Sequence, residues 1–144
     1  MSDAHEAIRN LLGSYTELMD AADWPAVGEL FADASLVTSD GAVFAAGAAQ
    51  VQALYENGTR LYDGSPRTRH ITANPIITVD GPSASVRSSY VVFQAVPGMP
   101  LQPIITGRYR DEFALADGAW RFARRCFLVD HVGELSHHLT YEVP

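Results

Sequence analysis

At 144 residues the chain has room for one domain with a sizeable core and not for two. Its 47% hydrophobic and 19% charged residues are the balance of an ordinary globular protein. The formal net charge of −7 excludes nucleic acid and an anionic membrane surface as expected partners, and leaves the charge inside any pocket open.

The first third is patterned as helix. Ala4, Ile8, Leu11, Leu12, Tyr15, Leu18 and Met19 recur at the three-or-four spacing of a buried stripe, with Ser2 or Asp3 as the cap. A second helix is predicted in "ADWPAVGELFADA", capped by Asp23, with Pro25 in the first turn where a missing N–H costs nothing. "SLVTSDGAVFAAG" reads as a short hairpin turning at Asp40-Gly41. "AAQVQALYENGTRLY" gives a third helix with Val51, Leu54, Tyr55 and Leu61 facing inward, and Gly58 in its middle or at its end.

The second half changes period. Four strands are predicted at Thr68 to Val79, Ala84 to Val96, Leu101 to Leu115 and Ala119 to Val132. The separators Asp80-Gly81-Pro82, Pro97 to Pro100 and Asp117-Gly118 are hairpin signals, so strands joined by them pair antiparallel. Helices first and such a sheet second give an α+β fold in one domain, 1–144. Strands longer than the usual five or six residues twist and curl. Three helices on a curled sheet leave a cone-shaped half-barrel with an internal cavity.

Cys126 is the sole cysteine and has no partner for an internal disulfide. "MSDAHEAIRN" lacks the basic start and apolar run of a signal peptide, and no apolar run approaches the roughly 20 residues of a membrane span. A cytoplasmic location is expected.

Several residues could carry chemistry. Asp20 closes the first helix, where the helix dipole disfavours an acid. Either it is an exposed turn residue in "DAAD", or something stabilises or uses it. His70 stands at the entry of the first long strand, and its ordinary pKa of about 6.5 suits a proton carrier. Alternation puts His70, Thr72 and Asn74 on one face, lining a cavity or facing solvent, and Ile71, Ala73, Ile77 and Val79 on the other. "ARRCF" places Arg124 and Arg125 mid-strand. One should point outward, and the other should meet an acid such as Asp111, Glu112 or Asp130, or an anionic ligand group. Asp111 and Glu112 themselves read as alternating exposed charges.

Tyr15 lies one turn before Asp20, as core or as a hydroxyl donor. Trp24, Tyr90, Tyr109 and Phe113 are core residues or cavity walls suited to a flat, ring-containing substrate. His137 and His138 in "GELSHHLTYEVP" point to opposite sides of an extended tail, on the surface or at a subunit contact. No HExxH spacing, glycine-rich phosphate loop or GxSxG elbow is present, so no metal and no cofactor are expected.

"IRNLLGSYTELMDAADWPAVGELFADAS", "RTRHITANPIITVDG", "GRYRDEFALADGAWRFARRCFLVD" and "GELSHHL" resemble the SnoaL-like branch of the nuclear transport factor 2-like superfamily across nearly the whole chain. The resemblance implies a curved antiparallel sheet wrapped around a cavity behind three helices, with a tail that closes the cavity mouth, so that one of His137 and His138 could touch a ligand. It includes polyketide cyclases, ketosteroid isomerases, dehydratases, a dehydrochlorinase and the small subunits of ring-hydroxylating dioxygenases, so fold alone does not fix function. In dehydratase-like and dehydrochlorinase-like relatives an acid at the place of Asp20 pairs with a histidine at the place of His70, and the dehydrochlorinase pattern puts an arginine at Arg125. That pattern has lysine where this chain has Tyr15, which weakens the expectation of chloride elimination.

Two functions are therefore expected. One is a cofactor-free lyase or isomerase, dehydratase- or cyclase-like, in which His70 held by Asp20 moves a proton on a hydrophobic ring compound. Arg125, Tyr15 or Asn74 would steady the oxyanion. The other is a non-catalytic ligand carrier or a dioxygenase small subunit. Both faces of "SYVVFQAV" are apolar, which points to a homodimer through the sheet or a larger homo-oligomer.

Overall fold

The computed structural model describes residues 3–143, so Ser2 lies outside the described residues. Helix α1, Ala4–Asp20, is capped by Asp3, whose carboxylate accepts the His5 amide at 2.9 Å. Ile8, Leu12, Tyr15 and Met19 form its buried stripe. Burying each aliphatic side chain of such a stripe contributes about 1.5–3 kcal/mol. Helix α2, Trp24–Leu30, starts at the Asp23 cap with Pro25 in the first turn. Helix α3, Gly47–Gly58, ends at its glycine, where an added Cβ would sit 2.8 Å from the Tyr141 ring. Leu61, expected on the inner face of this helix, lies beyond its end and is 44% exposed.

Six strands complete the chain: β1 Ser35–Val37, β2 Val43–Ala46, β3 Thr68–Asp80, β4 Ser83–Val96, β5 Met99–Ala116 and β6 Ala119–Val132. They form one curved, unclosed sheet in the order β2-β1-β6-β5-β4-β3. Every hairpin-linked pair is antiparallel, and β1 lies parallel to β6. The concave face packs against the helices around a core that includes Ile8, Val27, Phe31, Leu36, Phe113 and Phe122. Phe113 packs against Phe122, tilted, with ring centroids 4.5 Å apart, and is core. Among the described residues, no helix is long and apolar enough to cross a membrane.

One irregularity corrects the predicted alternation. Ala73 pairs with Ser89 and Ile76 with Arg87, so β3 carries one residue more than β4 between those pairs. Asn74 occupies the bulge at φ 55°, a conformation asparagine tolerates better than most residues. Before it, His70 faces inward and Ile71 outward. After it the parity flips, and Ile77 and Val79 pack on the core. Asn74 is exposed and does not join the cavity.

Candidate functional site

The cone encloses a cavity of about 540 Å³ between α1, α3, the concave sheet and the segment after β6. Most of its wall is apolar: Met19, Leu54, Val92, Ile105, Phe127, Val129, Leu135 and Leu139. Its polar groups are His70, His138, Thr38, Ser39 and the hydroxyls of Tyr15, Tyr55, Tyr90, Tyr109 and Tyr141.

Asp20 and His70 meet at the end of α1. His70 Nδ1 lies 2.6 Å from Asp20 Oδ1. The same carboxylate accepts the His70 amide at 2.9 Å and the Thr68 hydroxyl at 2.9 Å, and Arg69 approaches it at 3.8 Å. These donors offset the helix dipole that disfavours an acid at this place. The Asp20 and His70 side chains are 15% and 7% exposed. With Nδ1–H given to Asp20, Nε2 is the ring nitrogen left to act on a ligand.

Tyrosines form the adjoining wall. The Tyr15 and Tyr55 hydroxyls lie 2.8 Å apart, and Tyr90 stacks on Tyr109 at 4.5 Å. Burial pushes Tyr90 up to about 12 and raises Tyr15, Tyr55 and Tyr109 as well. All four stay protonated at neutral pH, as hydroxyl donors. Gly107 makes room for this wall: an added Cβ would lie 2.1 Å from the Leu128 carbonyl and 2.5 Å from the Tyr90 hydroxyl.

Arg125 takes one of its two expected roles, an ion pair with an acid instead of a ligand contact. It is the inward arginine of the pair, while Arg124 faces out beside Glu112 at 3.7 Å. Its Nε and Nη2 donate to the two Asp111 oxygens at 2.8 and 2.9 Å, and both side chains are fully buried. Its guanidinium carbon stacks over the Tyr109 and Tyr15 rings at 3.7 and 4.4 Å from their centroids. It stands behind the tyrosine wall and does not line the cavity. Asp111, expected outside, is inside because Tyr109, Asp111 and Phe113 share the inward parity of β5. Trp24 also stays off the cavity: it is buried and stacks on Tyr55 at 6.1 Å.

His138 is the tail histidine that reaches the cavity, and pattern reading did not tell it apart from His137. It is 5% exposed, lines the cavity, and its ring centroid is 5.9 Å from that of His70. Burial, with His70 adding to it, lowers its pKa to about 4. Leu135, His138 and Leu139 sit at the spacing of one inward face of a turn, which was the available signal. Among the described residues, no three His, Cys, Asp or Glu side chains converge as a metal site would need.

The family model for the SnoaL-like domain matches residues 1–126. Among solved structures, the chain is similar to an NTF2-like protein with a cystatin-like fold from Novosphingobium aromaticivorans, at 26% identity and a TM-score of 0.73, covering 87% of this chain and 80% of that one. It is also similar to a candidate scytalone dehydratase from the same organism, at 21% identity and a TM-score of 0.72, with 97% and 89% coverage. A third is the beta subunit of a candidate aromatic-ring-hydroxylating dioxygenase from that organism, at 23% identity and a TM-score of 0.70, with 90% of each chain covered. Identities of this size in the second and third cases speak to fold alone. No functionally curated protein matches the chain.

Proposed function

The chain belongs to the SnoaL-like domain family, and we propose that it is a cofactor-free lyase or isomerase, dehydratase- or cyclase-like, acting on a hydrophobic ring-bearing small molecule. The observation that carries this is the 2.6 Å contact of Asp20 with a His70 ring that lines a cavity of about 540 Å³. Asp20 fixes the imidazole tautomer and supports the imidazolium that forms when Nε2 takes a proton. Nε2 takes a proton from a carbon next to a carbonyl. The electron pair moves into the carbonyl oxygen, which the Tyr15 and Tyr55 hydroxyls are suited to steady. In a dehydration the same proton returns to the departing hydroxyl, giving water. In an isomerisation it returns to another carbon. Arg125 supports this from behind the wall, its charge already met by Asp111.

The reading as a dioxygenase small subunit rests on a shared fold, and it gives no reason for an oriented imidazole inside a cavity. The exposed Ile71, Ile76 and Leu101 favour a homodimer, which size-exclusion chromatography with light scattering would detect.

The test is a turnover screen over hydroxylated and keto-substituted bicyclic compounds, with His70→Ala as control. The substitution should lower turnover about 10²–10⁴-fold. Unchanged turnover in that variant sinks the assignment.

A further inference from the structure

The segment after β6 brings the cavity a group that the Asp20–His70 pair does not use. Residues Leu135 to Leu139 form one tight turn, with the His138 and Leu139 amides donating to the Leu135 carbonyl at 2.9 and 3.0 Å. The turn is held from outside at three consecutive carbonyls. Arg60 Nε donates to Ser136 at 2.9 Å, and the Arg60 amide to His138 at 2.8 Å. The Tyr62 hydroxyl and Gln94 Nε2 donate to His137 at 2.7 and 3.1 Å. Gln94 is 0% exposed, so a core amide is committed to fixing this turn.

So anchored, His138 presents its ring to the cavity. Yet its Nδ1 is enclosed without a hydrogen-bond partner among the described residues. Leaving a buried polar atom unpaired costs about 1–3 kcal/mol, and folded proteins retain few. That atom has almost no accessible surface, so the nitrogen open to a ligand oxygen is Nε2, which makes no hydrogen bond among the described residues. The lining contains no Lys, Arg, Asp or Glu, and Arg125 behind it is already paired. An anionic ligand would find no cation there.

We propose that His138 is a substrate-binding residue whose imidazole hydrogen-bonds an oxygen substituent of an uncharged ring compound, beside the atom on which His70 acts. This rests on the reading of the cavity as a reaction site and names its substrate class more narrowly. The 5.9 Å between ring centroids suits an oxygen and a reacting carbon on one ring. The low pKa of His138 keeps its imidazole neutral, with one donor and one acceptor, fit for a hydroxyl or a carbonyl.

The experiment compares two fluorescent probes of one shape, β-naphthol and naphthalene, by titration of the full chain. His138→Leu should weaken β-naphthol about tenfold while leaving naphthalene nearly unchanged, and His138→Asn should recover part of the loss. Imidazole-nitrogen NMR of the wild-type chain should show the His138 ring resonances shifting on saturation with β-naphthol. Equal weakening of both probes, no weakening of either, or unmoved His138 resonances would overturn the proposal. Binding of β-naphthol that responds to His70→Ala and not to His138→Leu overturns it while leaving the reaction reading in place. Failure of the wild-type chain to take up either probe overturns both.

Discussion

The molecule contains two acid–base pairs that look alike in sequence and differ in place. Asp20–His70 joins α1 to β3 at the cavity, with side chains 15% and 7% exposed. Asp111–Arg125 joins β5 to β6 behind the tyrosine wall, with both side chains at 0%. The first has a ring nitrogen to spare and reaches a hollow where a ligand fits. The second spends both carboxylate oxygens and two guanidinium nitrogens on itself, and supports the rings that shape that hollow. Contact with the cavity, more than residue type, separates chemistry from scaffolding here.

The comparison breaks most sharply on the buried side. Arg125→Met leaves Asp111 charged and unpaired, and should cost about 3–5 kcal/mol in urea unfolding. Adding Asp111→Leu should restore much of that, because two apolar residues replace a pair that is expensive to desolvate. A single variant as stable as wild type would show that the pair is not ionised in the fold. Gly107→Ala follows, at about 1–3 kcal/mol, since the added Cβ would meet the Leu128 backbone carbonyl and push the Tyr90 ring toward the cavity. Thermal unfolding reads the loss, and near-ultraviolet circular dichroism reads the shifted tyrosines.

Asp20→Asn sharpens the other side. It should cost only about 1 kcal/mol of stability, because an amide oxygen still accepts from β3. Turnover should fall about 10²-fold, because the negative charge that supports the imidazolium is gone. Loss of stability without loss of turnover would make this pair structural as well. The smallest effect is the pH dependence of His138. Its folded pKa, near 4, lies below its unfolded value, so the unfolded chain binds more protons between the two. Its contribution is complete above about pH 6.5 and declines as pH falls toward 4. Urea titrations should therefore show wild type losing stability relative to His138→Leu on acidification.

The long strands and their turns were legible because Asp-Gly and Pro-Gly pairs separate β-rich runs at unmistakable places. The parallel pairing of β1 to β6 was not, because β1 has three residues and no local signal names its partner. Asn74 was misplaced because a bulge resets alternation without leaving a period of its own. Asp111 was misread as exposed although Tyr109 and Phe113 flank it at the same parity. The acid's charge was allowed to outweigh the alternation. Asp20 and His70 were found by resemblance more than by pattern, since a separation of 50 residues carries no spacing rule. His138 was not told apart from His137 because the tail was read as extended, whereas the turn from Leu135 to Leu139 folds it inward.

β3 is the last strand of the sheet, so half of its backbone amides have no neighbouring strand to bond. The Asp20 carboxylate takes one of them, the His70 N–H, from that open side. A side chain that orients the imidazole thereby also blocks the border where a second chain's strand could add, the usual route to strand-mediated aggregation. Replacing it with alanine removes both functions at once. Loss of activity in such a variant would then come with clumping at high concentration, so the asparagine substitution is the one that separates the two roles.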